Sequence, residues 1–88
     1  MEKTSLNTFF ENCLQLSLRI KKIREALGYT QVDIAYRCDI SPSAYGQIER
    51  NAFKSSVATL YKIAEAMNVS ILFMLDIHNE ELIEKNKL

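Results

Sequence analysis

The 88-residue chain has no tryptophan, one proline, two glycines, one histidine and two cysteines, and each scarcity excludes something. So little glycine and proline is unlike a linker or low-complexity segment, and the 48% of hydrophobic residues is enough to build a core. Cys13 and Cys38 both sit on apolar stripes without CxxC spacing. They read as small core residues, not as a disulfide or metal ligands. The lone His78 has no Ser or Cys placed to partner it, the carboxylates are scattered, and there is no glycine-rich phosphate loop. An enzyme is therefore not expected, and neither is a cofactor or a bound metal. No run reaches the roughly 18 apolar residues of a membrane span. The opening MEKTSLNTFFEN lacks the basic-then-apolar order of a signal peptide, so a cytoplasmic location is expected.

What is present is helical periodicity. Phe9, Cys13, Leu16, Ile20, Ile23 and Leu27 alternate steps of four and three, the seam of one long helix that Gly28 ends. Ser5 or Thr8 would cap its start. Phe10, Leu14 and Leu18 form a second stripe beside the N-terminal half. One compact domain rarely buries two faces of a helix, so either part of this surplus meets another chain or residues 1–12 fold back as a separate short helix. Val57, Leu60, Ile63, Ala64 and Met67 mark the apolar face of a later helix, capped by Ser55 or Ser56 and ended at Asn68. Residues 69–77 fit a helix capped by Ser70, although Val69, Ile71, Phe73, Leu75 and Ile77 also alternate as a strand would. The expected organisation is an extension of helix one over 1–18, a domain over 19–75 and an acidic tail over 76–88. A short helix with Leu82 and Ile83 is expected within that tail.

A net charge of zero hides a division. Residues 19–62 hold eight basic and four acidic side chains, a balance of +4, whereas 1–18 carry −1 and 63–88 carry −3. A basic middle between acidic ends suits one face that meets phosphate.

The most informative segment is QVDIAYRCDISPSAYGQI, residues 31–48. Thr30 caps a short helix carrying Ile34, Ala35 and Cys38 on one face, and Asp39-Ile40 break it. Ser41-Pro42 opens a second helix with a capping hydroxyl and a proline at the first helical position. Tyr45 and Ile48 fall on its inner side, with Pro42, Ser43, Gly46 and Gln47 outside. A buried short helix followed by one with a small, uncharged polar outer face is how a chain holds a reading helix against DNA. After this helix, Asn51 is the expected left-handed residue that ends it.

With these residues in place, the chain resembles the Cro and lambda-repressor class of helix-turn-helix domains, also called XRE-like. The resemblance covers about Arg19 to Leu75. It is carried by IKKIREALGYTQ (20–31), DIAY (33–36), YGQIERN (45–51) and LYKIAEAMNVS (60–70). It implies an all-α fold, a five-helix lambda-repressor-like domain with a lengthened first helix. It further implies a homodimeric transcriptional regulator that binds a double-stranded DNA operator of two-fold symmetry, with a reading helix at about residues 42–50. By the same resemblance Pro42, Ser43, Gly46 and Gln47 occupy base-facing positions. Gln31, Ser41, Arg50 and Lys54 occupy phosphate-facing ones, and Arg24 and Glu49 match a pair tying helix one to the end of helix three. The IKKIR opening and IERN ending are similar to controller proteins of restriction–modification systems. Those proteins carry arginine near the start of the reading helix, where this chain has Pro42 and Ser43, so bidentate reading of guanine is not available there. Asp39 and Asn51 replace glycines common in the family.

A single reading helix spans about four or five base pairs, which favours a dimer. Two apolar surfaces could supply it: Phe9, Phe10 and Leu14, or Ile71, Leu72, Phe73, Leu75 and Ile77 with Leu82. The resemblance favours the second. An antitoxin-type module, binding a partner toxin and its own promoter, is the alternative that this fold leaves open, and RNA polymerase is a further protein partner such a regulator can take.

Overall fold

The computed structural model describes residues 5–79. Among these, five α-helices and one 3-10 turn follow one another: α1 (Ser5–Ala26), α2 (Gln31–Cys38), α3 (Pro42–Arg50), the turn (Ala52–Lys54), α4 (Val57–Ala66) and α5 (Ile71–Leu75). There is no strand among the described residues. Residues 71–75 are helical because the Ser70 hydroxyl accepts the Phe73 N–H at 3.0 Å, which starts the helix and settles the alternation of 69–77.

Local chemistry fixes the ends of the helices. Gly28 takes a positive φ of 85° just past α1, and the Tyr29 N–H returns to the Arg24 carbonyl. Thr30 and Asp33 satisfy one another's backbone donors in a reciprocal cap at the start of α2. Asp33 is held below its ordinary range by those hydrogen bonds from Thr30. Asp39 then stops α2 in the left-handed region at φ 60°, and its N–H bonds back into the last turn. Ser41 and Ser56 cap α3 and α4 in the same way, each accepting an N–H three residues on. Each such cap is worth about 1 kcal/mol.

The core gathers Ile20 and Ile23 of α1, Ile34 and Ala35 of α2, Tyr45 of α3, Ile63 of α4, Met67 at the end of α4, and Met74 of α5. Cys13 and Cys38 are buried free thiols, and burial pushes the Cys38 thiol up. Two cations act as internal braces. The buried Arg19 guanidinium lies 4.5 Å from the Phe73 ring centroid and donates to the carbonyls of Phe73 at 2.6 Å and Asn79 at 2.8 Å, closing the end of α5. Arg37 lies 4.5 Å over the Tyr29 ring and donates to the Ala66 carbonyl at 2.9 Å, closing α4.

Several expectations are corrected. α1 runs unbroken from Ser5, so residues 5–12 do not fold back as a separate helix. Phe9 stands on the core seam by spacing yet is 55% exposed, because among the described residues no other element reaches that far along α1. Val57 is 71% exposed, being in the first turn of α4, before the helix meets the core. Asn51 has φ −126° and ψ 46°, outside the left-handed region, because the chain passes directly into the 3-10 turn. Leu82 and Ile83 lie outside the described residues.

Candidate nucleic-acid interface

The two short helices are locked by one carboxylate. Glu49, in the last turn of α3, is buried and accepts four hydrogen bonds. Arg24 of α1 donates through Nε at 2.8 Å and Nη2 at 3.1 Å, in the forked geometry that suits guanidinium and carboxylate. Gln31, the first residue of α2, donates through Nε2 at 2.9 Å, and the Tyr45 hydroxyl donates at 2.7 Å. The third arm of Arg24 reaches the Tyr29 carbonyl at 2.8 Å. Burial alone would raise the Glu49 carboxyl, but the donors from Arg24, Gln31 and Tyr45 outweigh it and hold it below the usual range. The hydrogen bond to Glu49 raises Arg24 further. Burial, then Glu49, push the Tyr45 phenol far above its ordinary value, so it stays a donor. Three helices are thus tied through a side-chain network that is charged yet fully paired.

A second tie comes from Ser17. Its hydroxyl donates to the Arg50 carbonyl at 3.0 Å and accepts the Ala52 N–H at 3.4 Å, which fixes the exit from α3. The frame therefore holds α3 from its inner face and from its C-terminus.

The outer face of α3 is small and polar. Pro42, Ser43 and Gln47 are exposed, as are Ser41, Arg50 and Lys54 around it. The Ser41 hydroxyl accepts the Ala44 N–H at 3.0 Å and keeps its own proton to donate. Gln31 uses one Nε2 proton on Glu49 and retains the other. The Lys54 ammonium lies 5.9 Å from the Phe53 ring centroid. Gly46 differs from its expected placement outside. It is buried, with Arg50 Nη1 3.4 Å and Gln31 Oε1 3.6 Å from the point where a Cβ would stand. The structure thus brings Gln31, Gly46 and Arg50 together, with glycine as the floor on which the two longer side chains lie.

Sequence reasoning missed Tyr45 as a member of the Glu49 network, although the i, i+4 spacing of Tyr45 and Glu49 was a usable signal. It also missed Ser17, for which no sequence signal exists, since its partners are 33 and 35 residues away. The basic balance of the middle needs revision as well. Arg19 and Arg24 are buried on internal carbonyls and Glu49, so the exposed cations of this stretch are Lys21, Lys22, Arg37, Arg50, Lys54 and Lys62, of which Arg37 also donates to the Ala66 carbonyl. Among the described residues, no three His, Cys, Asp or Glu side chains cluster as metal ligands, and no helix is long and apolar enough to cross a membrane.

A family model described as helix-turn-helix matches residues 20–74, well over half of the chain. The chain belongs to the helix-turn-helix family, of the XRE/Cro type. This helix-turn-helix chain is 41% identical over 54 residues to the HTH-type transcriptional regulator SutR of Escherichia coli, a match covering 61% of the chain and 30% of that protein. It is 36% identical over 53 residues to the immunity repressor protein of Bacillus phage phi105, covering 60% of the chain and 37% of that protein. In each match, then, the aligned segment spans about a third of the relative's length. No solved structure matches the chain. The family consists of DNA-binding regulators, not enzymes, and the match begins at Ile20, inside α1, so the first fifteen residues of that helix lie outside it.

Proposed function

We propose that this helix-turn-helix chain is a sequence-specific DNA-binding transcriptional regulator, a repressor acting as a homodimer on a two-fold operator. The observation that carries the reading is the outer face of α3: Ser43 and Gln47 stand exposed and uncharged on a helix held by the Glu49 network. Fixing α3 before binding lowers the ordering cost of recognition. The names of the two relatives, a transcriptional regulator and an immunity repressor, support the same reading.

In this proposal α3 enters the major groove. Gln47 offers a paired donor and acceptor to adenine, and Ser43 reads permissively. Pro42 contributes apolar contact, and Gly46 leaves the space in which Gln31 and Arg50 lie beside α3. Gln31 presents its remaining Nε2 proton, and Ser41 its hydroxyl proton, to backbone phosphates on which Arg50 and Lys54 also converge. The test is a pair of variants titrated against operator and random duplex. Gln47→Ala should cost about 1–3 kcal/mol on operator and much less on random DNA. Arg50→Ala should weaken both about equally and flatten the salt dependence by roughly one unit of slope. Equal losses for Gln47→Ala on both duplexes would remove it from the reading surface.

A further inference from the structure

We infer that Ser17 of α1 is a positioning residue for Arg50 and Lys54, fixing the exit of α3 from which both cations reach phosphate; this rests on the DNA reading proposed above. Helix α3 ends at Arg50. A continued helix would give the Arg50 carbonyl the Lys54 N–H, but that donor goes to the Asn51 carbonyl at 2.9 Å. The Ser17 hydroxyl takes its place, donating to the Arg50 carbonyl at 3.0 Å. The same hydroxyl accepts the Ala52 N–H at 3.4 Å, so it holds the backbone on both sides of Asn51. With φ −126° and ψ 46°, Asn51 is where the chain leaves the helical path and enters the turn Ala52–Lys54. One hydroxyl on α1 thus holds the bend between the two cations.

The chemistry of the position selects a hydroxyl. A single short side chain has to donate to a carbonyl and accept from an N–H at one atom, which a carboxylate, an ammonium or a hydrocarbon cannot do. Neither bond is a local helix cap, because the partners lie 33 and 35 residues along the chain. Ala52 is fully buried, so the bend is anchored on its core side even without Ser17. Its outer side carries Arg50, Asn51, Phe53 and Lys54, all exposed. The Arg50 side chain lies back along α3, with Nη1 3.4 Å from the point where a Gly46 Cβ would stand, so its reach depends on where its own backbone is held. The Glu49 network holds the inner face of α3 through side chains, whereas Ser17 holds the backbone where α3 ends. Ser17 also precedes the segment matched by the family model, which begins at Ile20. The part of α1 outside that segment therefore shapes the DNA-facing surface.

Titration of the full chain over a range of salt tests this, against a duplex that wild type enriches from a random pool and against an unselected duplex. Binding is read at a temperature where circular dichroism shows each variant folded. Ser17→Ala should weaken both duplexes by the same factor, about five- to tenfold. It should also lower the slope of log affinity against log salt by about one unit. Ser17→Thr keeps the hydroxyl and should bind as wild type does. In the Arg50→Ala, Lys54→Ala background, Ser17→Ala should change neither affinity nor slope, because the side chains it positions are gone. A wild-type salt slope in Ser17→Ala overturns the inference, as does a loss confined to the enriched duplex. Failure of Ser17→Thr to restore binding, or a loss that persists in the Arg50→Ala, Lys54→Ala background, overturns it equally. If Ser17→Ala does not fold, Ser17→Cys keeps the size of the side chain with a far weaker hydrogen-bonding group and is held to the same outcomes. A wild type that binds neither duplex at low salt sinks the DNA reading and this inference together, whereas the outcomes above bear on Ser17 alone.

Discussion

Removing the Glu49 carboxylate should be the most damaging single change in the domain. Glu49→Ala strands four donors: two from Arg24, one from Gln31 and one from Tyr45. Arg24 is 6% exposed and Tyr45 0%, so water cannot replace what is lost at either. Breaking a buried pair in this way costs about 3–5 kcal/mol, because a charge remains without its counterion. Against a total stability of about 5–15 kcal/mol, that is a large share. At about 4–8 °C per kcal/mol for a domain of this size, the melting temperature should fall by about 12–40 °C. The double change Arg24→Met with Glu49→Leu would still orphan the Tyr45 hydroxyl, at about 1–3 kcal/mol. The triple variant Arg24→Met, Tyr45→Phe, Glu49→Leu should therefore recover most of the loss, and more than the double. Thermal and urea unfolding followed by circular dichroism measures all three. If Glu49→Ala unfolds within 1 kcal/mol of wild type, the network contributes nothing to holding α3 and the reasoning fails.

The carboxyls of Glu49 and Asp33 are both depressed in the folded chain. Their stabilising effect is thus complete above the ordinary carboxylate range and fades as acid protonates the folded form. Melting temperature should be level above about pH 5 and drop below about pH 4.3, more shallowly in Glu49→Gln; a rise on acidification through this window would contradict the assignment. Gly46→Ala places its methyl at ordinary contact distance from two flexible side-chain ends. It should therefore stabilise the helix by about 0.5–1 kcal/mol in urea unfolding, and a loss of similar size would mean that Gln31 and Arg50 cannot give way.

Much of this architecture was legible because it rests on local rules. The caps at Thr30, Ser41 and Ser56, the stop at Gly28 and the seam of α1 each follow from neighbours within four residues. The Arg24–Glu49 contact was suggested by the family resemblance, with each charge standing beside an isoleucine, Ile23 buried and Ile48 half-buried. Long-range closure was not legible. Ser17 under the end of α3 and Arg19 over Phe73 depend on chain segments brought together only by folding. The exposure of Phe9 and Val57 was hidden for a related reason, since periodicity gives the face of a helix but not where the opposing element ends. Gly46 was read by the side of α3 it occupies, whereas its burial is caused by two long side chains lying across it.

Selection of wild-type protein against a pool of random double-stranded DNA tests the central claim most directly. The account predicts enrichment of one two-fold sequence, with half-sites whose centres lie about one helical turn or a multiple apart and with adenine at the position that Gln47→Ala no longer selects. A pool that stays random after repeated rounds, or one enriched identically by Gln47→Ala, would contradict it.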